Sequence, residues 1–169
     1  MNNILNRFLA IVETVNTWIG KGVALLIPVI MLIMSYEVIM RYIFKAPTIW
    51  AWDINAQLFA MVVFLGGGYT LLQKGHVSID VIYAKLSTRM RAILDLVTCP
   101  VFFIFFIILT WKMTSMTIDS IEEREVLSTV FAPPIYPLKV LATIGTFLLL
   151  MQGIAKFIRD LQTALSKNV

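Results

Sequence analysis

Four apolar stretches, each about 20 residues long, dominate this 169-residue chain. They cover roughly residues 23–43, 54–73, 92–111 and 138–157. A hydrocarbon core of about 30 Å requires about 20 helical residues, so each stretch is long enough to cross a bilayer. The composition is 59% hydrophobic and 14% charged, whereas soluble domains average about 45–50% and about 25%. We therefore predict an all-α integral membrane protein that forms a single membrane domain with four transmembrane helices.

The segment before the first span has an amphipathic pattern. Within residues 4–19, apolar side chains recur at helical spacing, and Trp18 is placed to lie at headgroup level. The polar residues that fall largely off this apolar face are Arg7, Glu13, Asn16 and Thr17. This pattern predicts an amphipathic N-terminal helix at the membrane surface.

The first span contains a proline and two opposite charges. Pro28 predicts a kink near its start. Glu37 and Arg41 are four residues apart, on one helical face, in the outer third of the span. Either charge alone in lipid would cost roughly 2.5–3.5 kcal/mol, but an acid–base pair one turn apart can offset this cost. Two interpretations stay open, an internal salt bridge and a contact with another subunit.

The connection to the second span, residues 44–53, carries helix-breaking and interfacial residues. Pro47 ends the first helix, and Trp50 and Trp52 are typical of the membrane interface. Thr48 and Asp53 are both candidate N-caps for the next helix.

The second span contains the run Gly66-Gly67-Gly68. Glycines in lipid allow another helix to approach closely, so the run predicts helix packing against an unidentified partner helix.

Two polar segments lie between the later spans. In the basic connection 74–91, His76 is either a loop residue or a pH-sensing or partner-binding group. Asp80 is expected to pair with a neighbouring lysine and is not assigned to sodium. The acidic segment that includes Glu122 and Glu123 is either a solvated face or a docking site for a soluble partner.

Basic residues predict the orientation in the membrane. The N-terminus, the 74–91 connection and the C-terminus, counted with the adjoining ends of the spans, carry nine of the 14 Lys and Arg residues and four of the 10 acids. Because basic segments stay cytoplasmic, we predict that both termini are cytoplasmic.

Several classes of function are excluded by what the chain contains. One cysteine, Cys99, rules out an internal disulfide, and one histidine rules out a zinc site built from His and Cys. No phosphate loop, Ser-His-Asp arrangement or paired-carboxylate centre stands out, which predicts no enzymatic activity, no metal and no cofactor. The basic residues lie between apolar runs, which argues against nucleic-acid binding.

The stretch from Arg41 to Asp80 resembles a known family. It reads RYIFKAPTIWAWDINAQLFAMVVFLGGGYTLLQKGHVSID, and it is similar to the small membrane subunit of tripartite ATP-independent periplasmic (TRAP) transporters. The positions that carry the likeness are Arg41-Tyr42, Trp50, Asp53, Gly66-Gly67, Gly75-His76 and Asp80. Asp53 stands where the family usually has Glu. A second block, PPIYPLKVLATIGTFLLLMQG, resembles the branch of mannitol/chloroaromatic-compound transporters.

This resemblance implies a role inside a larger assembly in the bacterial inner membrane. A large membrane subunit would hold the substrate and sodium sites and move as an elevator. A periplasmic binding protein would deliver an organic acid. The chain itself would be a separate polypeptide that packs against the large subunit, in contact with membrane lipid, and widens the fixed scaffold.

Two other functions remain open at this point. A self-contained, proton-coupled exporter with four spans would use Glu37 as its carrier, although Arg41 one turn away favours an ionised carboxylate. An anchor for a redox complex is the other alternative.

Overall fold

The computed structural model describes residues 3–73 and 88–165, and in these ranges the chain is helical with no strand. The helices are α1 (Asn3–Ala24), α2 (Leu26–Tyr42), α3 (Ala51–Leu72), α4 (Thr88–Glu122) and α5 (Tyr136–Leu165). Four segments are long and apolar enough to cross a membrane: Leu5–Tyr42, Ala51–Leu72, Ile93–Glu122 and Tyr136–Ala164. The predicted all-α class with four candidate spans is therefore confirmed.

The boundary between α1 and α2 lies where Pro28 predicts it. In an unbroken helix the amide of residue 28 would bond the carbonyl of Ala24, but proline has no amide hydrogen and its ring crowds that carbonyl. Accordingly α1 ends at Ala24, and the Leu25 amide bonds the Gly22 carbonyl at 3.2 Å in a tighter turn. The first candidate span consequently consists of two helical segments.

Helix α3 lies at the centre of the bundle and packs against α1, α2 and α5. Its closest neighbour is α5 at Gly145, where a Cβ would overlap the Phe64 carbonyl. Helix α4 packs against α5, and the Thr117 and Thr143 hydroxyls bond at 2.8 Å between these two helices. Small and weakly polar residues thus mediate the helix contacts, as is usual in lipid.

The packed face of α1 includes both polar and apolar residues. Asn16 is only 1% exposed and Leu9 is also buried, whereas Trp18 is 72% exposed and Ile11 56%. Several other polar residues of the helix stay exposed, namely Arg7, Thr14 and Lys21. In lipid, an apolar outer face is tolerated while a polar group requires a partner inside the protein, and Asn16 is placed accordingly.

The two short connections meet at one end of the bundle. Residues 123–135 form a compact loop in which Val126 and Pro134 make an isolated antiparallel bridge and the Leu127 amide bonds the Pro133 carbonyl at 2.9 Å. This loop contacts the start of α3 beside the 43–50 connection. We call this the connection end; the opposite end, near Glu13 and Arg159, is the terminal end.

The Gly145→Ala substitution should destabilise the bundle, because the new methyl group would collide with the backbone of α3 at Phe64. Overpacking costs about 1–3 kcal/mol, more than the 0.5–1 kcal/mol that alanine gains over glycine in a helix. Thermal unfolding in detergent should show a lower midpoint. Gly22→Ala is the control, since nothing lies within 4 Å of that position; equal behaviour of the two variants would contradict the close contact.

Candidate functional site

The Glu37 carboxylate is the centre of a polar cluster at the connection end. The Arg41 guanidinium donates to Oε1 through Nε at 2.9 Å and through Nη2 at 2.5 Å. The Thr48 amide donates to Oε2 at 3.0 Å, and the Thr48 hydroxyl donates to the same atom. Both carboxylate oxygens are therefore occupied by donors from within the chain.

This cluster holds the turn between α2 and α3 in place. Glu37 is only 6% exposed, although it lies on a helix whose other faces are largely open. Its carboxylate joins residues eleven apart, from the last turns of α2 to the 43–50 connection. The spacing of Glu37 and Arg41 predicts their pair, whereas the sequence position of Thr48 suggests a helix cap and not a contact with Glu37.

Trp50 belongs to the same region. Its ring stacks on Tyr36, with ring centres 6.2 Å apart and an angle of 27° between the planes. Trp52, by contrast, points outward and is 72% exposed. Only Trp52 is therefore open to lipid or a partner, while Trp50 fastens the turn to α2.

Asp53 is buried beneath the loop 123–135. It is 3% exposed, and the Thr129 hydroxyl donates to its Oδ2 at 2.6 Å. Gln57, one turn further on, donates to the Pro134 carbonyl at 3.4 Å. Asp53 also lies in the first turn of α3, where the helix dipole favours a negative charge. Together these contacts fasten the loop to α3.

The predicted N-caps of α3 are wrong. The residue at the cap is Trp50, and no side chain bonds the free amides there. The helix begins at Ala51, so Thr48 lies too early and Asp53 too late to act as the cap. Their side chains are engaged by Glu37 and Thr129 instead.

A second polar contact joins three helices inside the bundle. The Asn16 amide of α1 donates to the Gln152 side chain of α5 at 3.1 Å and to the Val12 carbonyl at 3.0 Å. Gly68 of α3 makes room for it, because a Cβ at that position would overlap the Asn16 oxygen. Asn16 and Gln152 are 1% and 3% exposed. The contact fastens the amphipathic helix α1 to the bundle.

The glycine run is used in three different ways. Gly68 accommodates Asn16, as described above, and a Cβ on Gly67 would lie 3.4 Å from Leu149 of α5. A Cβ on Gly66 would meet no atom within 4 Å. The sequence predicted close packing at this run without naming the partner; two of its glycines pack within the chain, and Gly66 stays open.

Ion pairs at the terminal end connect three helices. Lys156 of α5 bonds Asp95 of α4 at 2.5 Å and Asp160 of its own helix at 2.8 Å. Arg159 bonds Glu13 of α1 at 2.6 Å. These pairs neutralise charges at the edge of the apolar region and lock α1 and α4 to α5.

The acidic segment divides into paired and exposed carboxylates. Glu125 accepts a hydrogen bond from the Lys139 ammonium, and this contact lowers the pKa of the Glu125 carboxyl below its ordinary value. The contact with Lys139 therefore stabilises the charged form of Glu125. Glu122 and Glu123, in contrast, are exposed at the end of α4 and in the turn that follows.

Two predicted site residues, His76 and Asp80, lie outside the described residues. Of the remaining candidates, the structure brings Glu37 and Arg41 together and places Trp50 beside them. Asp53 belongs to a separate contact with the loop 123–135. Among the residues described, no three His, Cys, Asp or Glu side chains converge in a way that could hold a metal ion.

Sequence reasoning missed Thr48, Thr129, Gln152 and Gly145 as structural contacts. For Gln152 a signal existed, since an amide inside an apolar span requires a partner. The two threonines gave no such signal, because a threonine in a polar connection is unremarkable until the fold places a carboxylate beside it.

Comparisons with known proteins agree with these observations. The family described as "Tripartite ATP-independent periplasmic transporters, DctQ component" matches residues 30–163. A curated relative is the C4-dicarboxylate TRAP transporter small permease protein DctQ of Vibrio cholerae, which is 30% identical over 79 residues. That alignment covers 45% of this chain and 34% of the relative, so it spans about a third of the relative's length.

Replacing Thr48 with Val should loosen the turn between α2 and α3, because the Glu37 carboxylate loses a hydroxyl donor in a low-dielectric region. A hydrogen bond to a charged group is worth about 1.5–3 kcal/mol, so the unfolding midpoint in nanodiscs should fall. Thr114→Val serves as the control, since that exposed hydroxyl bonds only the Thr110 carbonyl of its own helix. A Thr48→Val shift no larger than the control's would exclude a role for the hydroxyl.

Proposed function

Because the chain belongs to the DctQ component family of TRAP transporters, we propose that it is the scaffold subunit of a sodium-coupled transporter for an organic acid. Membership makes it a small transporter component in the bacterial inner membrane and not an enzyme. The four candidate spans agree with a multi-pass protein. The proposal concerns the finer steps: what the subunit does mechanically, what is carried, and what drives the transport.

The observation that carries the proposal is that the Glu37 carboxylate is bonded within the chain. A proton carrier needs a carboxylate that can exchange its proton during each cycle. Glu37 instead accepts bonds from Arg41 and Thr48 through both oxygens. Its charge is thus committed to holding a turn together, which supports a structural role over the exporter alternative.

A scaffold must resist being dragged when a neighbouring domain moves through the membrane. The contacts of α1 with Gln152 and Arg159 make the N-terminal helix part of the bundle. Trp18, Trp52 and Trp111 are each more than 70% exposed, and exposed tryptophans anchor a protein at the membrane interfaces. These features suit a fixed element beside an elevator-type large subunit.

Substrate and coupling ion are assigned to partner proteins. The relative's name specifies C4-dicarboxylates, which supports an organic acid bearing at least one carboxylate as the cargo here. The resemblance to the mannitol/chloroaromatic-compound branch leaves the particular acid open. We place the sodium and substrate sites in the large membrane subunit, and delivery with a periplasmic binding protein.

The orientation proposed for the chain has both termini in the cytoplasm. The connection end carries Glu122 and Glu123, whereas the terminal end carries bases such as Lys156 and Arg159. Since basic residues stay on the cytoplasmic side, the acidic connection end would face the periplasm and the binding protein.

Reconstitution into liposomes tests the scaffold role. The chain alone should transport none of a panel of mono- and dicarboxylates under a sodium or a proton gradient, because its intramembrane carboxylate is already paired. The chain together with its large subunit and binding protein should accumulate at least one of them, dependent on sodium. Solute movement by the chain alone would support the exporter instead, and a chromophore in the spectrum of the purified chain would support the redox anchor.

Charge reversal tests whether the exposed acids dock the binding protein. With Glu122→Lys and Glu123→Lys together, the binding-protein concentration for half-maximal uptake should rise about tenfold, since exposed interface charges mainly change association. Maximal uptake should be unchanged. The matched variant with Glu122→Gln and Glu123→Gln should raise this half-maximal concentration less. High salt should reduce the difference in half-maximal concentration between the Lys variant and the wild type, because salt screens exposed charges. An unchanged half-maximal concentration in the Lys variant would show that these residues do not dock the binding protein.

A further inference from the structure

Helix α3 keeps one face free of the other described helices. Its members are exposed, or are glycine with open space beside it, and they recur at alternating steps of four and three residues. We call this the α3 outer face; it consists of Trp52, Ala56, Phe59, Val63, Gly66, Thr70 and Gln73. The other faces of α3 pack against α1, α2 and α5.

The spacing and length of this face match one transmembrane helix. Alternating steps of four and three give a mean period of 3.5 residues, the repeat by which two helices pack side by side at a shallow angle. From Trp52 to Gln73 the face extends about 32 Å at 1.5 Å per residue, close to the roughly 30 Å of the hydrocarbon core. A partner helix could therefore follow it through the whole membrane.

The α3 outer face combines bulky and small residues. Helix α4 exposes bulky side chains such as Val101 at 73%, Phe105 at 57% and Trp111 at 77%. The α3 outer face also exposes Trp52, Phe59 and Val63, but Ala56, Gly66 and Thr70 lie between or beside them. Small and hydroxyl residues are enriched where helices meet in membranes, because they allow close approach, whereas contact with lipid chains requires neither.

A charged groove lies beside the first turns of this face. It has a volume of about 240 Å³ and is lined by Met34, Glu37, Val38, Arg41, Tyr42 and Trp52. The Arg41 side chain is 53% exposed, whereas its partner Glu37 is 8% exposed. A guanidinium has five N–H donors, more than the single Glu37 oxygen it contacts can accept. The groove therefore offers N–H donors of Arg41 to whatever occupies it.

We propose that the α3 outer face and the Arg41 groove receive a transmembrane helix of the large TRAP subunit. That helix presents small residues opposite Phe59 and Val63, and a carboxylate or its carbonyl-rich C-terminal end opposite Arg41. The N–H donors of Arg41 that Glu37 does not use favour such an acceptor. The proposal rests on the proposed scaffold function. It specifies which surface of this chain contacts the fixed part of the large subunit.

Photo-crosslinking in membranes tests this surface directly. A benzophenone amino acid at Val63, 52% exposed on α3, should form an adduct with the co-expressed large subunit. The same probe at Val101, 73% exposed on α4, is the control and should form none. An adduct from Val101 but not Val63 would overturn the proposal. So would an adduct between two copies of this chain, or with lipid alone, at Val63.

Packing is tested by paired glycine substitutions. Gly66→Leu should reduce recovery of the large subunit with this chain about tenfold, a change of about 1.4 kcal/mol, because the new side chain would collide with the closely packed partner helix. Gly22→Leu should change it less than twofold. A Cβ added at either glycine would meet no atom within 4 Å in the isolated chain, so neither variant should lower the unfolding midpoint.

The outcomes separate this inference from the scaffold function itself. If the wild-type chain does not co-purify with the large subunit, the scaffold function fails. If the wild-type complex forms and Gly66→Leu retains it as well as Gly22→Leu does, the function stands and the α3 outer face is not the interface.

Discussion

A polar group at membrane depth must find its partner inside the protein, and the arrangement of this bundle follows from that requirement. Both carboxylate oxygens of Glu37 accept bonds from Arg41 and Thr48, and the Asn16 side-chain nitrogen donates to Gln152. Water would offer these groups alternative partners; lipid does not. Each polar contact therefore joins particular segments, so that a few hydrogen bonds determine how the connection, the N-terminal helix and the bundle are held together.

Close helix contacts supply the remaining cohesion. Lipid chains are as apolar as leucine, so burial of apolar surface between helices contributes little, and packing depends on how near the backbones can come. Gly145 lets α5 approach Phe64 of α3, and Gly68 admits the Asn16 side chain. At these two positions the missing side chain allows close packing inside the bundle. At Gly66 the space beside the missing side chain is empty and faces outward.

The contrast between the paired carboxylates and the open helix face agrees with a subunit that stays fixed while its partner moves. Two carboxylates inside or beside the spans, Glu37 and Asp95, are paired within the chain. The face of α3 that is open carries small residues and borders a half-exposed Arg41. A subunit whose intramembrane charges are paired internally and whose exposed surface can pack against a neighbour meets the physical requirements of the proposed scaffold role.

Local patterns in the sequence are enough to specify four candidate membrane helices, the break near Pro28 and the Glu37–Arg41 pair, because hydrophobic length, a missing amide and i,i+4 spacing are local properties. The contact of Thr48 with Glu37, the bond from Thr129 to Asp53 and the inward position of Asn16 follow from the folded arrangement alone. So does the identity of the glycine in the run that stays open. These contacts join residues up to 136 positions apart, and no local pattern specifies which distant side chain a helix face will meet.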